Sequence, residues 1–174
     1  RIALSPRRAR YHRAMNYLAH AWLARHSDDA ILGALLGDFV FGQAALGDWP
    51  APVRREIACH RRIDRYTDTH PAVVAARALF DPAGLRRYAG IVLDVHFDHC
   101  LARDWHRWDG GTLDAFTTCV YRVLRDHAAE LPPRLRAIAP RMQAHDWLGC
   151  YRERGNVGHA VRGIATRLWR HGGR

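Results

Sequence analysis

Apolar side chains recur every three to four residues along most of the chain, which is the period of an α-helix with one buried face. Alternation of apolar and polar residues, which would indicate β-strands, is nearly absent. The helical pattern covers, approximately, residues 15–25, 30–40, 52–68, 71–80, 84–105, 113–129, 133–147 and 157–169. The sequence therefore predicts an all-α fold, a single compact helical domain of about seven helices.

The predicted helix over residues 30–40 is apolar nearly all round, so we expect it to lie at the centre of the domain. Asp38 is the exception in this segment. A carboxylate in such surroundings is costly unless it is paired, hydrogen-bonded or bound to a metal. The alternative is a carboxylate that already reaches solvent at the end of the helix, near Gly42.

Four polar residues are spaced four apart on the predicted helix over residues 52–68: Glu56, His60, Asp64 and Asp68. Residues at this spacing lie above one another, although the stripe drifts slowly round the helix. An imidazole and carboxylates on adjacent turns can chelate a divalent cation. The competing interpretation is a solvated helix face with pairing between successive turns.

A second acidic pair lies on the predicted helix over residues 84–105, where Asp94 and Asp98 share a face and His99 follows directly. Two carboxylates on successive turns of an apolar helix repel each other unless a cation or an arginine lies between them. Arginine pairing is therefore the structural alternative here. The first predicted helix adds one imidazole, that of His20.

Oxygen ligands mixed with a few imidazoles suit Mn²⁺, Mg²⁺ or Fe²⁺ better than a structural zinc site, which prefers thiolates. A cation held in this way can activate water and polarise a phosphoryl oxygen. The residues therefore favour a helical, metal-dependent hydrolase of a phosphoester.

Composition excludes some chemistry and leaves the partner open. All 27 basic residues are arginine, so neither a lysine Schiff base nor a phosphate-loop lysine can form. Of the net charge of +10, half comes from five arginines in residues 1–14, a segment without acids that we interpret as a disordered arm or an over-extended start. The domain itself is assigned to residues 15–174. Its remaining arginine surplus suits an acidic partner.

The four cysteines form no C-x-x-C pair, which favours free thiols in a reducing compartment. No apolar run approaches the ~20 residues of a membrane span, and no secretion signal is evident. We therefore expect a cytoplasmic protein without membrane association.

Several motifs follow one another in a characteristic order: Met15-Asn16-Tyr17-Leu18-Ala19-His20, Leu36-Gly37-Asp38-Phe39-Val40, His60-Arg61-Arg62-Ile63-Asp64, Thr67-Asp68, Leu93-Asp94-Val95 and Phe97-Asp98-His99. In this order the chain resembles the acyl carrier protein phosphodiesterases. The resemblance implies an HD-like helical fold and hydrolysis of the phosphodiester that joins 4′-phosphopantetheine to a carrier-protein serine. It also implies Mn²⁺ as the favoured metal and the acidic acyl carrier protein as partner.

Carried over to this chain, the resemblance implies metal ligands at Asp38, His60, Asp64 and Asp98. It implies catalytic roles at His20, His99 and Asp94, with the division between second ligand and proton donor left open. The substrate phosphate is assigned to Arg61 and Arg62, and the orientation of a ligand imidazole to Asp68.

Two alternatives remain at this stage. One is an HD-type phosphohydrolase of a nucleotide or another small phosphoester. The other is a basic helical module that binds nucleic acid, but the acids cluster within the helices whereas much of the basic excess lies in residues 1–14, so we expect no nucleic-acid partner. Relative to the family the chain ends early, so a homodimer that supplies a missing helix is a further expectation.

Overall fold

The structure of the protein, a computed structural model, describes residues 16–82 and 85–158. Within them the regular elements are all helical: α1 (Tyr17–Leu23), α2 (Asp28–Leu36), α3 (Gly42–Gly47), α4 (Ala51–Thr69), α5 (Pro71–Ala78), α6 (Arg86–Arg103), α7 (Leu113–Asp126) and α8 (Pro133–Ala144). Short 3-10 turns span Trp105–Arg107 and Gly149–Arg152. The prediction of an all-α fold is confirmed.

Helix α2 lies at the centre of the fold, as its apolar composition predicted. It begins at Ser27, whose hydroxyl accepts a hydrogen bond from Ala30 N at 3.2 Å, with Asp28 and Asp29 in the first turn. All seven of its remaining residues are buried. A Cβ on Gly33 would lie 2.5 Å from the carbonyl oxygen of Val53 in α4, so this glycine allows α2 and α4 to pack backbone against backbone.

The hydrophobic core extends from α2 towards α1, α4, α7 and α8. Its completely buried large side chains include Leu18, Leu35, Ile57, Val120 and Leu135. Helix α7 has one strongly apolar face, which it turns towards α2 and α8. The packed core positions α1, the end of α2, and α4 against one another, and these three segments carry the site described below.

The segment after α2 differs from the sequence prediction. The helix expected over residues 30–40 ends at Leu36, and turns follow in which Phe39 N and Val40 N both donate to Leu36 O. Asp38 therefore lies in a turn and not on a helix. A further short helix, α3, begins at Gly42, whose positive φ of 82° is a conformation that glycine adopts without strain.

Two other predictions fall partly or wholly outside the described residues. The basic arm over residues 1–14 lies outside them. The last predicted helix, 157–169, is described only at its start, where residues 154–158 are helical. Among the described helices, none is both long enough and apolar enough to cross a bilayer.

Candidate metal centre

Two stacked imidazoles form the heart of the site. His20 projects from α1 and His60 from α4, and their ring centroids lie 3.8 Å apart with an interplanar angle of 19°. Both side chains are almost completely buried. Two titratable rings are costly to bury in this way, because buried polar atoms need partners. Those partners show what the pair can do.

The hydrogen bonds of His60 fix its tautomer. Its Nδ1 donates to the carbonyl oxygen of Ala34 in α2 at 2.8 Å. Its Nε2 then faces two carboxylates, 3.5 Å from Asp38 Oδ1 and 3.4 Å from Asp64 Oδ2. A metal-binding histidine is typically held by just such a backbone hydrogen bond at its other nitrogen. His60 is therefore oriented as a ligand would be.

Gly37 makes this orientation sterically feasible. A Cβ at this position would lie 2.2 Å from Cγ of His60 and 2.6 Å from its Nδ1. The end of α2 therefore packs directly on the imidazole face, which only a residue without a side chain allows.

His20 shares a carboxylate with His60. Its Nε2 lies 3.0 Å from Asp64 Oδ1. Its Nδ1 is buried and has no hydrogen-bond partner among the described residues. A cavity of about 20 Å³, large enough for one water molecule, is lined by both imidazoles together with Ala24, Ala34, Glu56 and Cys59.

Ligand atoms of His20, His60 and Asp64 all lie within 4.8 Å of one another, a spacing that suits coordination of a single ion. Asp38 adds a carboxylate oxygen beside His60. Two imidazoles and two carboxylates form a donor set that fits Mn²⁺, Fe²⁺ or Mg²⁺. The described residues therefore fit a divalent cation at this centre.

The electrostatics of the centre also favour a cation. Burial lowers the pKa of His20. Burial acts in the same direction on His60, but its hydrogen bonds to Asp38 and Asp64 outweigh it and raise the pKa of His60 to about 9. Burial would raise the pKa of Asp64, yet its bonds to the two imidazoles hold that pKa well below its usual range. Without a metal, a protonated imidazole supplies the positive charge that these carboxylates require.

Asp94 lies on α6 within electrostatic reach of the centre. Burial, followed by repulsion from Asp64 and Asp68, raises the pKa of Asp94 to about 8. Asp38 and Asp98 contribute smaller repulsions. A buried carboxyl group whose pKa is raised further by neighbouring carboxylates marks a place where added positive charge is stabilising.

Asp98, expected as a metal ligand, uses both carboxylate oxygens on the backbone of α1. Its Oδ2 accepts from Leu18 N at 3.0 Å and its Oδ1 from Ala19 N at 2.9 Å. Burial raises the pKa of this carboxyl group to about 7 against the opposing effect of the two N–H groups. The side chain thus caps the first turn of α1, whose N-cap residue Asn16 makes no side-chain cap. It fixes the helix that carries His20.

His99, expected in a catalytic role, turns to another part of the fold. Its Nδ1 lies 2.6 Å from the carbonyl oxygen of Tyr151 and donates to it. Tyr151 belongs to the 3-10 turn that packs on α6. His99 is therefore not brought together with the imidazole pair among the described contacts.

The structure places the arginines differently from the sequence expectation, which assigned the substrate phosphate to Arg61 and Arg62. Arg61 is half-buried and donates to the carbonyl oxygen of Val40, beside the turn that carries Asp38. Arg62 is exposed on the outer side of α4. Asp68 accepts a hydrogen bond at 2.6 Å from Arg77 of α5, a residue that sequence reasoning did not select. Nothing in the spacing of these two residues, on different helices, indicated that they pair.

A cavity of about 640 Å³ lies at the far end of α6, and none of these residues lines it. The fold and the centre together define an all-α protein with a buried histidine–carboxylate site suited to a divalent cation.

Comparison with known proteins narrows this class to one family. Residues 15–173 match the family described as acyl carrier protein phosphodiesterase. Curated proteins of that name from Serratia proteamaculans and Yersinia pestis are 39% and 37% identical to this chain, over 88% of its length and 79% of theirs. The chain belongs to the acyl carrier protein phosphodiesterase family, which confirms the resemblance and the assignment as a hydrolase. No solved structure matches it, so the HD-like architecture stays a prediction.

Proposed function

We propose that this protein hydrolyses the phosphodiester of holo-acyl carrier protein with the help of a divalent cation, releasing 4′-phosphopantetheine and the apo-protein. Family membership supports the substrate, since the relatives carry the name acyl carrier protein phosphodiesterase. The observation that carries the metal dependence is the orientation of His60, whose Nδ1 is occupied by Ala34 while its Nε2 faces two carboxylates. Of the candidate metals, Mn²⁺ is the one we propose.

His20, His60, Asp64 and Asp38 would hold the cation. When bound, it lowers the pKa of water and polarises a phosphoryl oxygen. Asp38 and Asp64 are both partly accessible, with 18% and 17% of the side chain exposed, so the centre can be reached from solvent. The imidazoles close its buried side.

Asp94 is the group that we assign to proton transfer. Attack of water on phosphorus releases one proton, and the serine oxygen takes up one proton as its bond to phosphorus breaks. A cation held there would offset the repulsion from Asp64 and Asp68, so that the Asp94 carboxylate could accept the first proton. The attacking and leaving oxygens lie roughly in line on opposite sides of phosphorus, so the proton taken up by the serine oxygen comes from solvent.

The remaining predicted residues support the site from outside it. Asp98 holds α1 and so positions His20. The hydrogen bond of His99 to Tyr151 joins α6 to the turn before residue 154. We infer a structural role for both. A cytoplasmic location and a homodimer stay predictions of the sequence.

The test is mass spectrometry of holo-acyl carrier protein after incubation with the enzyme and Mn²⁺, with EDTA as the metal-free arm. We expect conversion to the apo-protein with Mn²⁺ and none with EDTA. His60→Asn should abolish conversion, whereas His106→Asn, which changes an exposed histidine, should retain it. A folded, Mn²⁺-loaded enzyme that leaves holo-protein intact but cleaves nucleotides would refute the carrier-protein substrate.

A further inference from the structure

Arg77 occupies an unusual position between three helices. It projects from α5, and its Nη2 donates to Asp68 Oδ1 in α4 at 2.6 Å. The same nitrogen lies against Gly90 of α6, where a Cβ would come within 2.7 Å of it. About one third of the side chain is exposed to solvent. The guanidinium is thus held in place on a side chain that is partly accessible.

The contact with Gly90 places Arg77 near the part of α6 that carries Asp94. Gly90 and Asp94 are four residues apart, so they lie on one face of that helix, one turn from each other. Asp68, the carboxylate that holds Arg77, is also one of the charges that raise the pKa of Asp94. Arg77 therefore lies at the edge of the carboxylate group around the metal centre.

One hydrogen-bond donor of Arg77 has no acceptor among the described residues. This donor is its Nε, which is buried. A buried N–H without an acceptor costs free energy, and a charged one costs more. The ion pair with Asp68 engages only one of the five N–H groups of the guanidinium through the hydrogen bond described.

A phosphodiester approaching this centre meets mostly negative charge. Asp38, Asp64 and Asp94 would repel its non-bridging oxygens, and a cation would offset only part of that repulsion. An arginine is the side chain best suited to the rest, because its planar fork matches the oxygens of a phosphate.

We propose that Arg77 binds the phosphate group of the substrate, with Asp68 and Gly90 positioning its guanidinium. This assignment rests on the proposed function for the nature of the substrate. It differs from the sequence expectation, which placed the phosphate on Arg61 and Arg62. The outward direction of Arg62 and the bond from Arg61 to Val40 both favour Arg77.

The experiment measures binding of inorganic phosphate to the Mn²⁺-loaded protein by calorimetry, so that it does not depend on the carrier protein. Arg77→Gln removes the charge, and we expect phosphate to bind about tenfold to hundredfold more weakly while Mn²⁺ affinity is retained. Arg86→Gln is the matched control, since Arg86 forms an exposed ion pair with Asp81 at 2.8 Å. It should leave phosphate binding unchanged.

Gly90→Ala tests the same contact without removing charge. The new methyl group displaces the guanidinium, so phosphate binding should weaken although alanine is the better helix former. In Arg77→Ala, added guanidinium ion should restore part of the hydrolysis of holo-acyl carrier protein, which a purely structural tether between α4 and α5 would not allow.

Unchanged phosphate affinity in Arg77→Gln with intact Mn²⁺ binding overturns the proposal. So does loss of Mn²⁺ binding together with folding, since it assigns Arg77 to structure alone. A wild-type protein that binds phosphate through Arg77 but does not cleave holo-acyl carrier protein would instead refute the proposed substrate and leave this inference standing.

Discussion

Replacing Gly37 by alanine places a methyl carbon within the van der Waals radius of the His60 ring. The new Cβ would lie 2.2 Å from Cγ, 2.3 Å from Cδ2 and 2.6 Å from Nδ1, where ordinary contacts begin at 3.4 Å. Neither the His60 ring nor the backbone at residue 37 can move away easily. The ring is stacked on His20 and bonded to Ala34, while Gly37 directly follows the most buried helix of the fold.

The loss of stability in Gly37→Ala depends on which groups must move to accommodate the methyl group. Forcing extra volume into a packed interior costs about 1–3 kcal/mol. If the ring tilts away, the bond from His60 to Ala34 is lost as well, which leaves a buried carbonyl unsatisfied at about 1–3 kcal/mol more. We therefore expect Gly37→Ala to lower the free energy of unfolding by about 2–6 kcal/mol. Mn²⁺ affinity should fall as well, because Nε2 moves with the ring.

The assay combines chemical unfolding followed by circular dichroism with calorimetric titration of Mn²⁺. Gly47→Ala is the matched control: Gly47 ends α3, and nothing lies within 4 Å of a Cβ added there. Its stability should be unchanged or slightly raised, by about 0.5–1 kcal/mol.

The packing argument fails if Gly37→Ala resembles Gly47→Ala in both stability and Mn²⁺ affinity. A loss of stability with unchanged Mn²⁺ affinity would refute a narrower point, namely that the His60 ring is a ligand held by this contact.

Three further predictions follow from the same geometry. Asp98→Asn should destabilise the protein by about 1–3 kcal/mol through loss of one helix-capping acceptor, yet change Mn²⁺ affinity less than tenfold. A loss of Mn²⁺ affinity of about hundredfold or more would instead identify Asp98 as a metal ligand. Binding of Mn²⁺ at pH 7 should release protons, because His60 and Asp94, with pKa values of about 9 and 8, are protonated without metal. Affinity should therefore rise as the pH increases from 7 to 9, and calorimetry that shows no dependence on buffer ionisation would contradict this. Tyr121→Phe should cost about 1–3 kcal/mol in urea unfolding, since its hydroxyl accepts from buried Leu148 N at 2.8 Å, and Mn²⁺ affinity serves as the control that should not change.

Helical periodicity was sufficient to predict the elements and part of the centre. The stripe on α4 contributes His60 and Asp64 to one site, because residues four apart share a face. The slow drift of that stripe carries Asp68 away from the imidazoles, where it pairs with Arg77. Glu56 lines the small cavity beside the imidazoles and also lies near His26 of the loop after α1.

Contacts between helices were beyond the reach of this reasoning. His20 was visible only as a residue on a helix face, and its stacking on His60 depends on how α1 crosses α4. Asp98 shares a face with Asp94, so spacing alone grouped them, yet the backbone of α1 takes both oxygens of Asp98. Periodicity describes one helix at a time, whereas Asp98 accepts hydrogen bonds from the unpaired N–H groups at the start of another helix, α1.

The prediction for Asp38 shows a different limit. The apolar run of α2 continues to Val40, and Gly37 is the one residue whose position indicates an end at Leu36. The packing of Gly37 on His60 is a tertiary contact that the pattern of one segment does not indicate. The chain turns there, and that turn brings Asp38 towards the imidazole.

The cap on α1 has a consequence for the order of folding. Helix α1 has seven residues, far fewer than the about 12–15 that an isolated helix needs in water. Its first turn is held by Asp98, 80 positions further along the chain, so the helix carrying His20 gains this support only after α6 has docked. A nascent chain that has formed α2 and α4 thus possesses His60 and Asp64 but only half of the imidazole pair. In a refolding experiment, acquisition of high-affinity Mn²⁺ binding should mark the docking of α6, which closes a loop of 80 positions.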